Sequence, residues 1–166
     1  GPGQQINNGG LVTAIGDEVL SQFWKRADTS KPVFVRQLAA FHTCCSNTAT
    51  VRIQQNIALG DVSGNLNPFF THHGADAQAF LPRINGSSGN PAQNTLTPNN
   101  TEFGFRIDGE WSDWLRNNAG PDICNSTPED DQCGHHMRFW PARDFAGKLI
   151  PNAWLMVMDY SGINYD

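Results

Sequence analysis

The sequence has no excess of positive charge, no long hydrophobic run and no recognisable catalytic motif. Lysine and arginine total 11 against 16 aspartate and glutamate residues, which gives a formal net charge of −5. With no cluster of basic side chains, this balance argues against nucleic acid as a partner. No run of apolar residues is long enough for a membrane-spanning helix. The nucleophile-elbow serine, the HExxH zinc motif, the P-loop and the dinucleotide fingerprint are all missing, so catalysis has little support.

The composition favours a loop-rich all-β protein over a helical one. Charged residues make up 16% of the 166 residues and hydrophobic residues 39%, and glycine, asparagine, threonine and proline are frequent. A chain of this length buries one sizeable core, so we predict a single domain over residues 11–166. Residues 1–10 are polar and glycine-rich and are predicted to be a flexible lead-in. Gly1 and Pro2 resemble the scar of a cleaved expression tag.

Alternation of apolar and polar residues predicts two strands in the first third of the chain. Residues 33–42 are partly apolar on both faces, which predicts a central strand. Residues 48–56 alternate more cleanly, and residues 44–47 are predicted to form the hairpin turn between the two strands. The apolar spacing over residues 17–26 permits one or two helical turns. Residues 85–100 are rich in Asn, Gly, Ser, Pro and Thr and predict a surface loop.

Further strands are predicted in the second half of the chain. Residues 103–107 alternate strictly, and residues 137–140 form a short apolar run that Pro141 is expected to end. Residues 153–158 are continuously apolar, a pattern typical of a strand buried on both faces. Seven or eight short strands with long loops predict an all-β, antiparallel β-sandwich of jelly-roll type.

The end of the sequence combines oxygen-bearing side chains with a glycine. Asp159, Asn164 and Asp166 surround Gly162, directly after the apolar run. Oxygen ligands around a glycine turn suit a hard cation such as calcium, and the alternative is an Asx-rich turn at a strand end. We predict a calcium site formed by Asp159, Asn164 and Asp166, with Asp113 as a further candidate ligand.

Three motifs run through the second half of the chain: F-G-F-x-I-D-G-x-W-S-D at residues 103–113, G-H-H-x-R-F-W-P-A-R-D at 134–144, and P-N-x-W-L-M-V-M-D-Y-x-G-x-N-Y-D at 151–166. Together they resemble a calcium-associated β-sandwich domain of secreted multidomain bacterial proteins. Similar domains belong to large surface adhesins and to secreted carbohydrate-active proteins. The resemblance implies an extracellular location and a structural calcium ion. In that family a hydrophobic strand follows the last motif, which implies that residues beyond Asp166, or another chain, complete the sheet.

Four cysteines are present, an even number that fits an oxidising compartment. Cys124 and Cys133 bracket a polar loop, and a disulfide closing it would contribute about 2–3 kcal/mol. The adjacent Cys44 and Cys45 form either a strained vicinal disulfide or two buried thiols. The secreted character that the resemblance implies favours the vicinal disulfide.

Two tryptophans lie in the polar segment EWSDWLRN, which is predicted to be a loop. A flat apolar ring beside planar hydrogen-bonding groups is the usual composition of a sugar-binding surface. Trp111 and Trp114, with Asp113, Arg116 and Asn117, are therefore candidate ligand-binding residues. Alternatively, both tryptophans close the open end of the sandwich.

The five histidines comprise two adjacent pairs and one residue at a strand end, namely His72-His73, His135-His136 and His42. Neighbours on a strand point to opposite faces, so one adjacent pair does not readily chelate one metal ion. One histidine from each segment could converge on zinc or copper. In the alternative, each pair holds one histidine in the core and one at the surface.

The sequence therefore predicts a non-catalytic extracellular binding module that recognises carbohydrate or a cell-surface partner and contains a structural calcium. One alternative is a structural or assembly domain that self-associates through a donated strand. The other is a metal-dependent enzyme domain.

Overall fold

The computed structural model describes residues 16–19, 23–42, 47–55, 65–86, 89–97, 102–112 and 137–158. The chain divides into two compact units. The middle unit is Trp24–Asp108, and the terminal unit combines Gly1–Phe23 with Gly109–Asp166. A single domain over residues 11–166 stays a prediction.

Strands and one short 3-10 helix make up the regular structure of the described residues, which contain no α-helix. Every strand pairing within the two units is antiparallel, so the predicted all-β antiparallel class is confirmed and is consistent with a β-sandwich. The jelly-roll order stays a prediction. No helix in the described ranges is long and apolar enough to cross a membrane. The elements are β1 Trp24–Lys25, β2 Val33–Arg36, β3 Ala39–Phe41, β4 Thr50–Gln55, β5 Asn65–Thr71, the 3-10 helix Gly74–Asp76, β6 Gln78–Phe80, β7 Gln93–Leu96, β8 Glu102–Ile107, β9 Glu110–Trp111, β10 Met137–Arg143 and β11 Leu149–Met158.

The main sheet of the middle unit has the strand order β1-β8-β4-β5. β4 lies inside it and pairs with β5 on one side and β8 on the other. Its residues Val51 and Ile53 are buried together with Phe103, Phe105 and Ile107 of β8. Burying each of these side chains contributes roughly 1.5–3 kcal/mol, so this face forms the core of the unit. The alternation predicted for β8 and for residues 50–53 of β4 is confirmed, whereas Gln54, on the polar face of β4, is fully buried.

The predicted strand over residues 33–42 is interrupted. β2 pairs with β7, whereas β3 pairs with β6, and both pairs are two-stranded sheets. The backbone N–H of Gln37, between the two strands, donates to the carbonyl of Ala92 at 2.9 Å. A central strand at this position and a hairpin from it into β4 were therefore wrong predictions, because β4 finds its partners in β5 and β8.

Two further sequence predictions need correction in the middle unit. The predicted surface loop at residues 85–100 contains β7, whose polar residues pair with β2 by backbone hydrogen bonds that composition does not reveal. Helical turns predicted over residues 17–26 are wrong for Trp24 and Lys25. These two residues form β1 and pair with Phe103 and Glu102.

The terminal unit contains the long ribbon β10–β11. Pro141 does not end the first strand, which continues to Arg143 through an irregularity in the register. The connecting turn is fixed by Asp144, whose side-chain Oδ1 accepts hydrogen bonds from the N–H groups of Ala146 and Lys148. Gly147 has a φ of 80°, a left-handed conformation that glycine adopts without strain.

β11 is not buried on both faces. Leu155 is 43% exposed and Val157 is 37% exposed, and Leu149 and Ile150 are exposed as well. The continuous apolar run correctly predicted a strand, but the prediction of two covered faces is wrong.

Candidate functional site

The β3–β6 ribbon of the middle unit presents aromatic side chains to solvent. Its register places Ala39 opposite Phe80 and Phe41 opposite Gln78. Because side chains alternate along a strand, Phe41, Gln78 and Phe80 share one face, while Ala40 on the other face is buried. Phe41 is 64% exposed and Phe80 is 78% exposed. We call Phe41, Gln78 and Phe80 the aromatic face.

The two rings of the aromatic face contact each other edge to face. Their centroids are 5.3 Å apart and their planes meet at 81°, a preferred geometry for aromatic pairs. The side-chain amide of Gln78 donates to the carbonyl oxygen of His42, which fixes the amide beside the rings. The face is therefore an ordered surface with a planar polar group beside two aromatic rings that contact each other.

The chain directly after Phe80 is held in an unusual conformation. Leu81 has a φ of 50°, which is a backbone outlier for a bulky side chain. Its N–H donates to the carbonyl of Leu38 at 2.8 Å, and both leucine side chains are exposed. Strained residues persist only where the surrounding structure holds them, and they concentrate at ligand sites and active sites.

An ion pair between the buried Asp76 and the partly exposed Arg83 supports the loop that follows β6. The Arg83 side chain forms two hydrogen bonds to the carboxylate of Asp76, at 2.9 Å from Nε and 2.6 Å from Nη2. The Arg83 backbone N–H donates to the same carboxylate at 2.8 Å. The side-chain bonds from Arg83 are the main cause that lowers the pKa of Asp76 to about 2, against the opposing effect of desolvation.

We expect this ion pair to make stability acid-sensitive. The unfolded chain takes up a proton at Asp76 near its ordinary pKa of 3.8, whereas the folded chain does so near 2. The contribution is therefore complete above pH 3.8 and is lost as the pH falls towards 2. Urea unfolding of wild type and Asp76→Asn across this range should give free energies that differ most near neutral pH and converge in acid. If the free energies of unfolding of the two proteins differ by the same amount at every pH, Asp76 is not the source of the acid sensitivity.

Two histidines meet where β3 and β5 end. His42 follows β3 and His72 follows β5, and their Nε2 atoms are 2.9 Å apart. His72 Nδ1 lies 3.0 Å from the carbonyl oxygen of His73, which only accepts, so Nδ1 carries the proton. His72 Nε2 then accepts from the Ala49 N–H at 3.2 Å and from His42.

The groups around His42 have opposing effects on its pKa. Burial lowers the pKa of His42, the neighbouring His72 lowers it further, and Asp108 opposes both. His72 is buried and its neighbour His73 is exposed, which confirms the predicted division of this pair between core and surface. His135 and His136 lie outside the described residues.

Of the ligand-binding residues predicted from the sequence, Trp111 alone lies within the described residues. It is half-buried and belongs to β9, so its predicted placement in a loop is wrong. The other predicted site residues lie outside the described ranges: Asp113, Trp114, Arg116 and Asn117 for the ligand, Asp159, Asn164 and Asp166 for calcium, and Cys44, Cys45, Cys124 and Cys133 for the disulfides.

The aromatic face was not predicted from the sequence. Ala39-Ala40-Phe41 and Ala79-Phe80 place small residues next to large ones, and only the pairing of β3 with β6 shows that the large ones face solvent. The one available signal is the alanine at each inward position, Ala40 and Ala79. Alanine side chains are too small to build a core on that strand pair.

Comparison of the chain with models of known protein families, with curated proteins and with solved structures gave no match.

Proposed function

We propose that the protein is a non-catalytic extracellular recognition module that binds carbohydrate through the aromatic face. The observation that supports this most directly is the exposure of Phe41 and Phe80 on a ribbon whose opposite face buries Ala40. Exposed apolar side chains that lie in contact with each other mark an interaction site more often than single ones do, and the rings of Phe41 and Phe80 are in contact.

The chemistry of the face suits a sugar. One face of a pyranose ring is lined by C–H groups and stacks on an aromatic ring, while its hydroxyls need planar hydrogen-bonding partners. Phe80 supplies the ring. Gln78 supplies an amide whose Nε2 is already bound to His42, which leaves the side-chain oxygen to accept from a hydroxyl. One or two stacked rings with few hydrogen bonds give weak affinity, on the order of mM to µM.

We expect Phe80→Ala to weaken glycan binding about tenfold with little change in stability. Its ring is largely exposed, so truncation removes ligand contact without opening a cavity. A glycan array would identify the oligosaccharide that binds best, and isothermal titration would compare the variants. Phe145→Ala is the matched control, because Phe145 is fully exposed in the turn before β11.

Two outcomes would contradict this proposal. If the array finds no glycan, carbohydrate recognition is excluded. If glycans bind equally well to wild type and Phe80→Ala, the ligand contacts another surface. The second surface that we propose is the one predicted around Trp111, Trp114, Asp113, Arg116 and Asn117, and Trp111→Ala tests it in the same assay.

A structural calcium remains part of the proposal. Its support is the sequence around Asp159, Asn164 and Asp166, where carboxylates placed close together repel one another unless a cation neutralises them.

We expect calcium to raise the melting temperature and a chelator to lower it. A bound ion stabilises the folded state by about 2.7 kcal/mol at a hundredfold excess over its dissociation constant. Asp159→Ala should remove the difference between the two conditions in a thermal melt. Equal melting in calcium and in chelator, with no metal found in the purified protein, would favour the Asx-rich turn.

A second candidate function is assembly through β11. Within the described residues β11 pairs only with β10, and Leu155 and Val157 are exposed. An exposed, apolar edge strand pairs readily with another chain unless charge or proline protects it. Pro151 lies near the start of β11, and residues 153–158 after it contain neither charge nor proline. We propose a second copy of this chain as the partner, joined antiparallel along β11, because an uncharged strand meets its own copy without like charges facing each other.

A further inference from the structure

The two rings of the aromatic face stand nearly at right angles. The centroids of Phe41 and Phe80 are 5.3 Å apart, and the ring planes meet at 81°. The antiparallel register places Ala39 opposite Phe80 and Phe41 opposite Gln78, so the two phenylalanines are diagonal neighbours on one face of the ribbon. The rings therefore form a corner and not a flat platform.

The short distance between the rings prevents them from lying side by side in one plane. Non-bonded carbon atoms pack at about 3.5–4.0 Å, so two coplanar phenyl rings side by side need about 6 Å or more between their centroids. The observed 5.3 Å is too short for this arrangement. Moving the rings apart and turning them flat would also give up the edge-to-face contact, which is a favoured geometry for aromatic pairs.

We propose that the aromatic face binds a single residue of a soluble sugar chain and does not adsorb to the flat surface of a crystalline polysaccharide. This inference rests on the proposed binding of carbohydrate by the same face. Only one of two perpendicular rings can lie flat against a plane, so a crystalline surface would stack on one ring alone. A single pyranose makes better use of the corner, because its C–H face stacks on one ring while its rim meets the other.

A longer chain gains little at this face. Successive sugar rings of an extended chain are nearly parallel, so they do not stack on two rings that stand at 81°. β3 and β6 contain no aromatic residue other than Phe41 and Phe80, and no third ring of this ribbon follows the chain. The Gln78 amide, held by its bond to the carbonyl oxygen of His42, lies opposite Phe41 and serves the same sugar residue.

The test compares soluble sugars of increasing length in NMR titrations of the ¹⁵N-labelled protein. The probes are the methyl glycosides of glucose, N-acetylglucosamine, mannose and galactose, and linear chains of two, four and six residues of each sugar. For a sugar that binds, the dissociation constants at all four lengths should agree within about threefold, whereas a second stacked residue would raise the affinity about tenfold. The side-chain amide signals of Gln78 should shift with each probe that binds.

Phe41→Ala distinguishes a corner from a flat platform. If both rings contact one sugar residue, Phe41→Ala and Phe80→Ala each weaken binding of the methyl glycoside about tenfold. On a flat platform, Phe41→Ala would weaken binding of the longer chains alone. Phe41 is 64% exposed, so its truncation opens no cavity, and a thermal melt checks that the variant is folded. Phe145→Ala is again the control and should bind every probe like the wild type.

Crystalline cellulose and chitin test the flat surface directly. In a depletion assay the wild type should stay in solution with both solids. Three results would overturn the single-residue site and leave carbohydrate recognition standing: adsorption to either solid, an affinity that rises tenfold or more with chain length, or unchanged binding of the methyl glycoside by Phe41→Ala. If neither the soluble sugars nor the solids bind, the proposed carbohydrate recognition fails together with this inference.

Discussion

Replacing Glu18 by glutamine is expected to destabilise the terminal unit by about 3–5 kcal/mol. Glu18 Oε1 accepts from Arg138 Nε at 2.8 Å, and their side chains are 1% and 0% exposed. The neutral amide of glutamine removes the negative charge that Arg138 Nε meets in the interior. Removing one partner of a buried ion pair is much more unfavourable than the pair itself is favourable. The shift in the midpoint of urea unfolding at constant slope measures the loss.

The neighbouring residue supplies a matched control. Asp17 pairs with Arg143, but both side chains are about half exposed, where solvent screens the interaction. Asp17→Asn should therefore leave the unfolding midpoint nearly unchanged. A similar loss of stability in both variants, or no loss in Glu18→Gln, would show that the buried pair does not anchor residues 16–19 to β10. The double replacement Glu18→Leu with Arg138→Met should recover much of the stability, because it removes both charges together.

This ion pair could not be predicted from the sequence. Glu18 and Arg138 are 120 positions apart, and nothing local in either segment indicates the other. The Val19 N–H donates to the Phe139 carbonyl at 2.9 Å, which brings the two segments together through the backbone. Backbone bonds of this kind are available to any residue other than proline, so they leave no trace in composition.

Strands with one buried face were predictable, and strand partners were not. β4 and β8 alternate because one face of each meets the core, and this period is visible in the sequence. The apolar run of β11 indicates a strand equally well, but the run contains no information about whether a second layer covers it. The interruption between β2 and β3 is likewise set by their different partners, β7 and β6.

The same limit applies to the candidate site. Phe41 and Phe80 belong to separate parts of the chain and become neighbours only through the register that places Ala39 opposite Phe80. The convergence of His42 and His72 likewise depends on where β3 and β5 end. Sequence reasoning did predict that His72 and His73 divide between core and surface, because adjacent side chains in extended chain point in opposite directions.

Val157→Lys is expected to abolish self-association through β11. If two copies pair antiparallel along this strand, the two exposed faces and the strand edges are buried together, and a lysine on each copy introduces charge into that interface. The wild type should show a concentration-dependent dimer in sedimentation velocity, whereas Val157→Lys should remain monomeric over the same range. A hundredfold weaker dimer, equivalent to roughly 2.7 kcal/mol, is enough to distinguish the variant from the wild type at micromolar concentration.

Phe145→Lys is the control for the added charge. Phe145 is fully exposed in the turn before β11, so its replacement changes net charge equally without altering the strand. It should dimerise like the wild type. If the wild type is monomeric at every concentration, or if both lysine variants dissociate alike, pairing of two copies through β11 is excluded. If Val157→Lys leaves the dimer intact, the two copies meet elsewhere on the molecule.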